Sequence, residues 1–248
     1  MPDWPRPWYV EGFGDSYQEL YAHRSDREAT QALRLLDQAG ASLEGPILDL
    51  ACGAGRHLEA LGRRGARALG LDLSPQLLRS ARRRGLDNLI RSDMRRLPLR
   101  DSSIDGVLNM FTSFGYFERD EENFAVLGEI ARVLRPGGFL FFDYLNSERV
   151  RRDLQPEGER RGERFRAEEK REIRAGRVLK EMRVFERKSG RELTRYRESV
   201  RLFEAEDIAE AAGRRGLQVE RVWGSYTGAE FSARESPRWI ALMRREAP

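Results

Sequence analysis

One cysteine, two histidines and three lysines are the scarcest reactive residues in this chain of 248, and each shortage excludes something. Cys52 alone cannot close an internal disulfide, which fits a reducing compartment. His23, His57 and Cys52 fall in no metal-ligand spacing, so no metal site is expected. Apolar runs extend for only a few residues, which predicts no membrane-spanning helix, and the N-terminus lacks the basic-then-apolar order of a secretory signal. We therefore expect a soluble, cytoplasmic protein, monomeric or homodimeric, without membrane contact.

What is abundant is charge, at 35% of residues, with arginine supplying nearly all the positive side. A formal charge of +4 would permit a nucleic-acid partner, but its distribution argues against one. Residues 147–200 hold 18 basic against 12 acidic side chains, so that segment is +6, sign-mixed, and the remainder is −2. A small-molecule partner is expected, with RNA the runner-up.

The chain is organised around Pro46-Ile47-Leu48-Asp49-Leu50-Ala51-Cys52-Gly53-Ala54-Gly55-Arg56-His57. Apolar residues at 47, 48 and 50 read as a buried parallel strand, and the glycines as a turn opening a helix whose free amides suit a nucleotide-like ligand. Before it, Tyr9, Phe13, Tyr17 and Tyr21 recur at spacings of four, predicting one face of a helix that either packs on the core or covers a ligand. Ser25 and Glu28 form a capping box for a helix carrying Ala29, Ala32, Leu33 and Leu36, stopped by Gly40.

After the glycine turn, helix 57–64 leads to a strand at 68–73, and Ser74-Pro75 starts a helix to about Arg84. Strands follow at 88–92 and 104–110, then an amphipathic helix at 121–134 and a fifth strand at 139–145. This alternation predicts a doubly wound parallel sheet with its ligand at the carboxyl ends of the strands, where Asp49, Asp72, Asp93 and Asn109 stand. Residues 147–203 break the pattern: apolar positions scattered among opposite charges, with a turn at Lys188-Ser189-Gly190, read as an inserted antiparallel sheet that either scaffolds or shapes the mouth of the site. A helix at 204–215 and two paired strands at 217–223 and 238–244 complete the core. The expected organisation is an N-terminal lid or helical segment at 1–40, a cofactor-binding core at 41–146, the insertion at 147–203, and the last helix and strands at 204–248.

Taken together, these residues resemble the class I S-adenosylmethionine-dependent methyltransferases over nearly the whole chain. Asp49-x-Ala51-x-Gly53-x-Gly55 is similar to the family's acidic glycine-rich first motif, with Ala51 in place of the usual first glycine. Asp72, followed by Leu73, matches the acidic residue that accepts from both ribose hydroxyls, and Asp93-Met94 the pair beside the adenine. Asn109-Met110-Phe111-Thr112-Ser113-Phe114-Gly115-Tyr116 stands at the fourth motif, and Leu134-Arg135-Pro136-Gly137-Gly138 at the turn before the fifth strand. The resemblance implies a Rossmann-like seven-stranded sheet with an antiparallel last strand, S-adenosylmethionine as cofactor and S-adenosylhomocysteine as product. A nicotinamide-binding dehydrogenase would need glycine or alanine at position 58, which is Leu58. A non-catalytic, cofactor-binding partner subunit is the other rival.

The resemblance implies in-line methyl transfer to an oxygen or nitrogen nucleophile, in which the protein contributes alignment. Expected cofactor contacts are Asp49, Ala51, Gly53, Gly55, Asp72, Leu73, Asp93, Met94 and Asn109, with Tyr17, Tyr21 and Arg24 closing over the methionine end. Acceptor contacts are expected from Phe111, Ser113, Tyr116 and Asn146. Candidates for a base are His57, Tyr116 and Tyr144, with His23 behind them.

Overall fold

The apolar run at 47–50 becomes the central strand β1 (Ile47–Leu50), every residue of it buried between two parallel neighbours. The computed structural model describes residues 8–11, 15–21 and 26–247. Around β1 stand β2 (Ala68–Asp72), β3 (Leu89–Arg91), β4 (Ile104–Asn109), β5 (Leu134–Leu145), β10 (Leu217–Trp223) and β11 (Arg238–Arg245), in the order β10-β11-β5-β4-β1-β2-β3. β11 runs antiparallel between β5 and β10, and the other strand pairs through to β3 are parallel.

Period-2 alternation sends neighbouring residues into different cores. Leu48, Val107, Leu140 and Phe142 pack with helix α6 (Asp120–Val133) and helix α8 (Ala205–Gly213) on one face. On the other, Ile47, Leu108, Phe141 and Leu242 pack with α3 (Asp26–Gln38) and α4 (Arg56–Gly62). Helix α5 (Pro75–Arg83) begins as its residues dictate: the Ser74 hydroxyl accepts from the Leu77 amide at 3.2 Å, with Pro75 at the first helical position.

The 147–203 segment forms a separate antiparallel sheet of β6 (Glu157–Arg161), β7 (Phe165–Arg174), β8 (Arg177–Glu186) and β9 (Glu192–Arg201). The expectation of strand alone needs one correction, because helix α7 (Ser147–Asp153) comes first. Its stripe is only two turns long, too short for periodicity to reveal. The tyrosine periodicity also misleads. Tyr9 belongs to α1 (Trp8–Glu11) and Tyr17 to α2 (Asp15–Leu20), two separate helices, and they serve different neighbours. Tyr9 packs against Phe117, whereas Tyr17 and Tyr21 pack against Met182, Val184 and Tyr196 of the inserted sheet. Phe13, His23, Arg24 and the Ser25 cap lie outside the described residues. No described helix is long and apolar enough to cross a membrane.

Candidate functional site

The chain leaves β1 through a turn whose backbone is left-handed at three positions: Ala51 (φ 59°), Gly53 (φ 57°) and Gly55 (φ 83°). Ala51 thus adopts a conformation that favours glycine. The turn is tied to the end of β2 by Asp72, which accepts from the Gly53 amide through one oxygen and the Ser74 amide through the other, both at 2.8 Å. Burial raises the Asp72 pKa, and those amides oppose the shift. At Gly53 an added Cβ would meet only Leu77 Cδ1 at 3.8 Å, so the backbone there faces open space.

That space is a cavity of about 990 Å³ at the carboxyl ends of the parallel strands. Of the residues expected at a cofactor, Ala51, Gly53, Asp72, Leu73, Asp93 and Met94 line it. Tyr17 and Tyr21 line it from the N-terminal segment, and Phe111, Ser113 and Tyr116 from the loop after β4. Asp93 shares its carboxylate with Arg95, in a fork with Nη2–Oδ2 at 2.7 Å; despite its burial, these bonds hold the carboxyl below its usual range.

Five expected contacts lie away from the lining, each for a physical reason. Gly55 is a packing position, since a Cβ there would stand 2.2 Å from Leu86 Cδ1. Asp49 is buried beneath the turn; burial first, then Asp72, pushes its carboxyl up to about 8, and its Oδ2 has no partner among the described residues. Asn109 is wholly buried at the end of β4, its amide nitrogen 3.5 Å from the Leu50 carbonyl. Tyr144 turns into the core, where its hydroxyl donates to the Arg201 carbonyl and burial drives its pKa up. Asn146 spends its amide on the Ala233 and Ser236 carbonyls, at 2.7 and 2.8 Å. Tyr144 and Asn146 are thereby removed from acceptor chemistry.

His57 does line the cavity. Its ring lies 5.5 Å from Phe111 and its Nε2 has no partner among the described residues. Burial, then the nearby Arg56, pushes its pKa down to about 3, so the imidazole is neutral near pH 7. A neutral imidazole of such low basicity is a poor general base. Tyr116 packs against Trp8 and Tyr9, with ring centroids 4.7 and 6.4 Å away.

Two further groups escaped the sequence reading. Asp143, fully buried, accepts from Arg238 Nε and the Phe111 amide, both at 2.7 Å, and from the Tyr226 hydroxyl. Arg238 also reaches Thr112 Oγ1 at 2.8 Å. This network holds Phe111 and Thr112 at φ 56° and 61°, left-handed positions on the cavity wall. The signal was an aspartate inside the apolar run Phe139–Leu145, a buried charge that requires partners. The second group, Lys180 and Glu198, brings the inserted sheet into the lining. Only the strand register reveals that pair.

Residues 48–142 match the family model described as "Methyltransferase domain". The chain is 34% identical over 113 residues to a ubiquinone biosynthesis O-methyltransferase of Xanthomonas oryzae pv. oryzae, covering 45% of this chain and 46% of that protein. It thus spans about half the length of the first curated relatives it matches. A longer match is to the cypemycin N-terminal methyltransferase of a Streptomyces species, 30% identical over 208 residues and covering 80% of this chain and 82% of that one. The chain belongs to the class I S-adenosylmethionine-dependent methyltransferases. An S-adenosylmethionine-dependent methyltransferase from Clostridium acetobutylicum has the same fold, with a TM-score of 0.80 at 18% identity over 94% of this chain and 97% of that one. The cavity residues fit this methyltransferase family's cofactor: an open backbone at Gly53, and an Asp72 carboxylate oriented by two amides with lone pairs to spare.

Proposed function

We propose that this protein transfers a methyl group from S-adenosylmethionine to a small-molecule acceptor with an oxygen or nitrogen nucleophile. The observation that carries the reading is one continuous cavity joining the Asp72 strand end to an aromatic-walled space under the inserted sheet. At about 990 Å³ it is at the upper end of the roughly 300–1,000 Å³ typical of a site for one drug-sized ligand, which leaves room for a second small molecule.

In this reading Asp72 receives the ribose hydroxyls, the 51–53 backbone meets the methionine portion, and Leu73, Asp93 and Met94 surround the adenine. When bound, the cofactor supplies an electrophilic methyl on a sulfonium. The chain's own part is positional. Phe111, Tyr116 and the rings of Trp8 and Tyr9 exclude water beside the reacting centre, and Ser113 and neutral His57 orient the incoming nucleophile. Such alignment is worth up to about 7–11 kcal/mol in model systems, without a strong base.

Release of S-adenosylhomocysteine, followed over a panel of small amines, hydroxyl compounds and bulk RNA, tests the acceptor class. Turnover of small molecules that is insensitive to salt is expected. Turnover of RNA alone, falling steeply with salt, would overturn the small-molecule reading.

A further inference from the structure

The inserted sheet turns a polar strip toward the cavity. Lys180 on β8 and Glu198 on β9 are direct cross-strand partners, with Nζ–Oε2 at 2.5 Å and each side chain 14% exposed. Lys180 gives a second bond to the Tyr21 hydroxyl at 2.7 Å. Glu198 Oε1, by contrast, is buried and has no partner among the described residues. The Tyr196 hydroxyl, two residues back on the same face of β9, is in the same condition. A buried carboxylate oxygen left unpaired is destabilising, and an incoming donor would remove that cost.

The surroundings select the charge of that donor. Among the described residues, the cations lining the cavity each already face a carboxylate: Arg56 with Glu28, Arg84 with Glu59, Lys180 with Glu198 and Arg238 with Asp143. An anionic acceptor group would have to compete for every one. A cationic group meets instead an unspent carboxylate oxygen and the ring of Tyr17, whose face attracts cations, whereas the Tyr21 ring already carries Arg160 at 4.2 Å and Lys180 at 5.3 Å. We propose that Glu198 binds a cationic amine of the acceptor and so sets the specificity of this site for ammonium-bearing small molecules. The proposal rests on the methyltransferase reading, which supplies the need for an acceptor.

The test is calorimetry on the full chain saturated with S-adenosylhomocysteine, using benzylammonium, benzyl alcohol and benzyl phosphate as probes. Wild type should bind the cation in preference to the other two. Glu198→Gln should bind it about tenfold more weakly or worse, the loss of one bond to a charged group, while its affinity for S-adenosylhomocysteine stays unchanged. Equal affinity of wild type and variant for the cation overturns the proposal, as does a preference for benzyl alcohol or benzyl phosphate. Should the variant misfold, the wild-type ranking of the three probes still decides. Failure to bind S-adenosylhomocysteine would strike the methyltransferase reading, and the cation measurement can be made without it.

Discussion

Replacing Asp143 with alanine should destabilise the fold, because three donors depend on its carboxylate. The carboxylate accepts from Arg238, from the Phe111 amide and from the Tyr226 hydroxyl, and the residue is 0% exposed. The variant loses a bond to a charged group, about 1.5–3 kcal/mol, and leaves a buried amide without its acceptor, about 1–3 kcal/mol. Breaking a buried ion pair costs about 3–5 kcal/mol, and the lower end applies because Arg238 is 24% exposed and the cavity can rehydrate it. For a chain of this size, about 3 kcal/mol lowers Tm by roughly 6–12 °C. Thermal unfolding of Asp143→Ala, Arg238→Met and the double variant reads this directly, with an expected coupling between the two sites of roughly 1–3 kcal/mol. A fall in Tm of under about 2 °C for Asp143→Ala, or strict additivity in the double variant, would refute the reasoning.

Two pH dependences of opposite sign should follow from the groups around the turn. His57 is held down to about 3 from an ordinary 6.5, so the unfolded chain binds its proton first and stability falls as pH drops through that window; His57→Gln should flatten the acid side of a denaturation-midpoint profile. Asp49, raised from 3.8 to about 8, contributes stability that is full below pH 3.8 and is lost as pH rises through about 8. Asp49→Asn should therefore gain stability relative to wild type between those limits, and a parallel profile would contradict the assignment.

The parts of the site visible in the sequence are those set by local order. A strand ending in aspartate before a capped helix places Asp72, and the next strand end places Asp93-Met94, because parallel strands deliver their carboxyl ends to one edge. The alternating strands and helices of the parallel core and the separate antiparallel sheet are legible in period and turn chemistry, whereas the count of seven strands and the antiparallel last strand came from the family resemblance. What stayed hidden depends on register and distant partners. Tyr144 and Asp143 are neighbours, yet period 2 sends the tyrosine into the core and the aspartate to Arg238 and Tyr226, 95 and 83 residues away in sequence. Asn146 looked free at a strand end, and its amide is claimed by carbonyls 87 and 90 residues later. Gly55 has the backbone of a ligand turn, but Leu86 decides what it touches.

The most direct test of the central claim is calorimetry of the wild-type chain and Asp72→Ala with S-adenosylmethionine and with a nicotinamide dinucleotide. The sulfonium compound should bind wild type and the dinucleotide should not. The variant, stripped of a carboxylate worth about 1.5–3 kcal/mol per hydrogen bond, should bind at least about tenfold more weakly. Binding of the dinucleotide without binding of S-adenosylmethionine would contradict the claim.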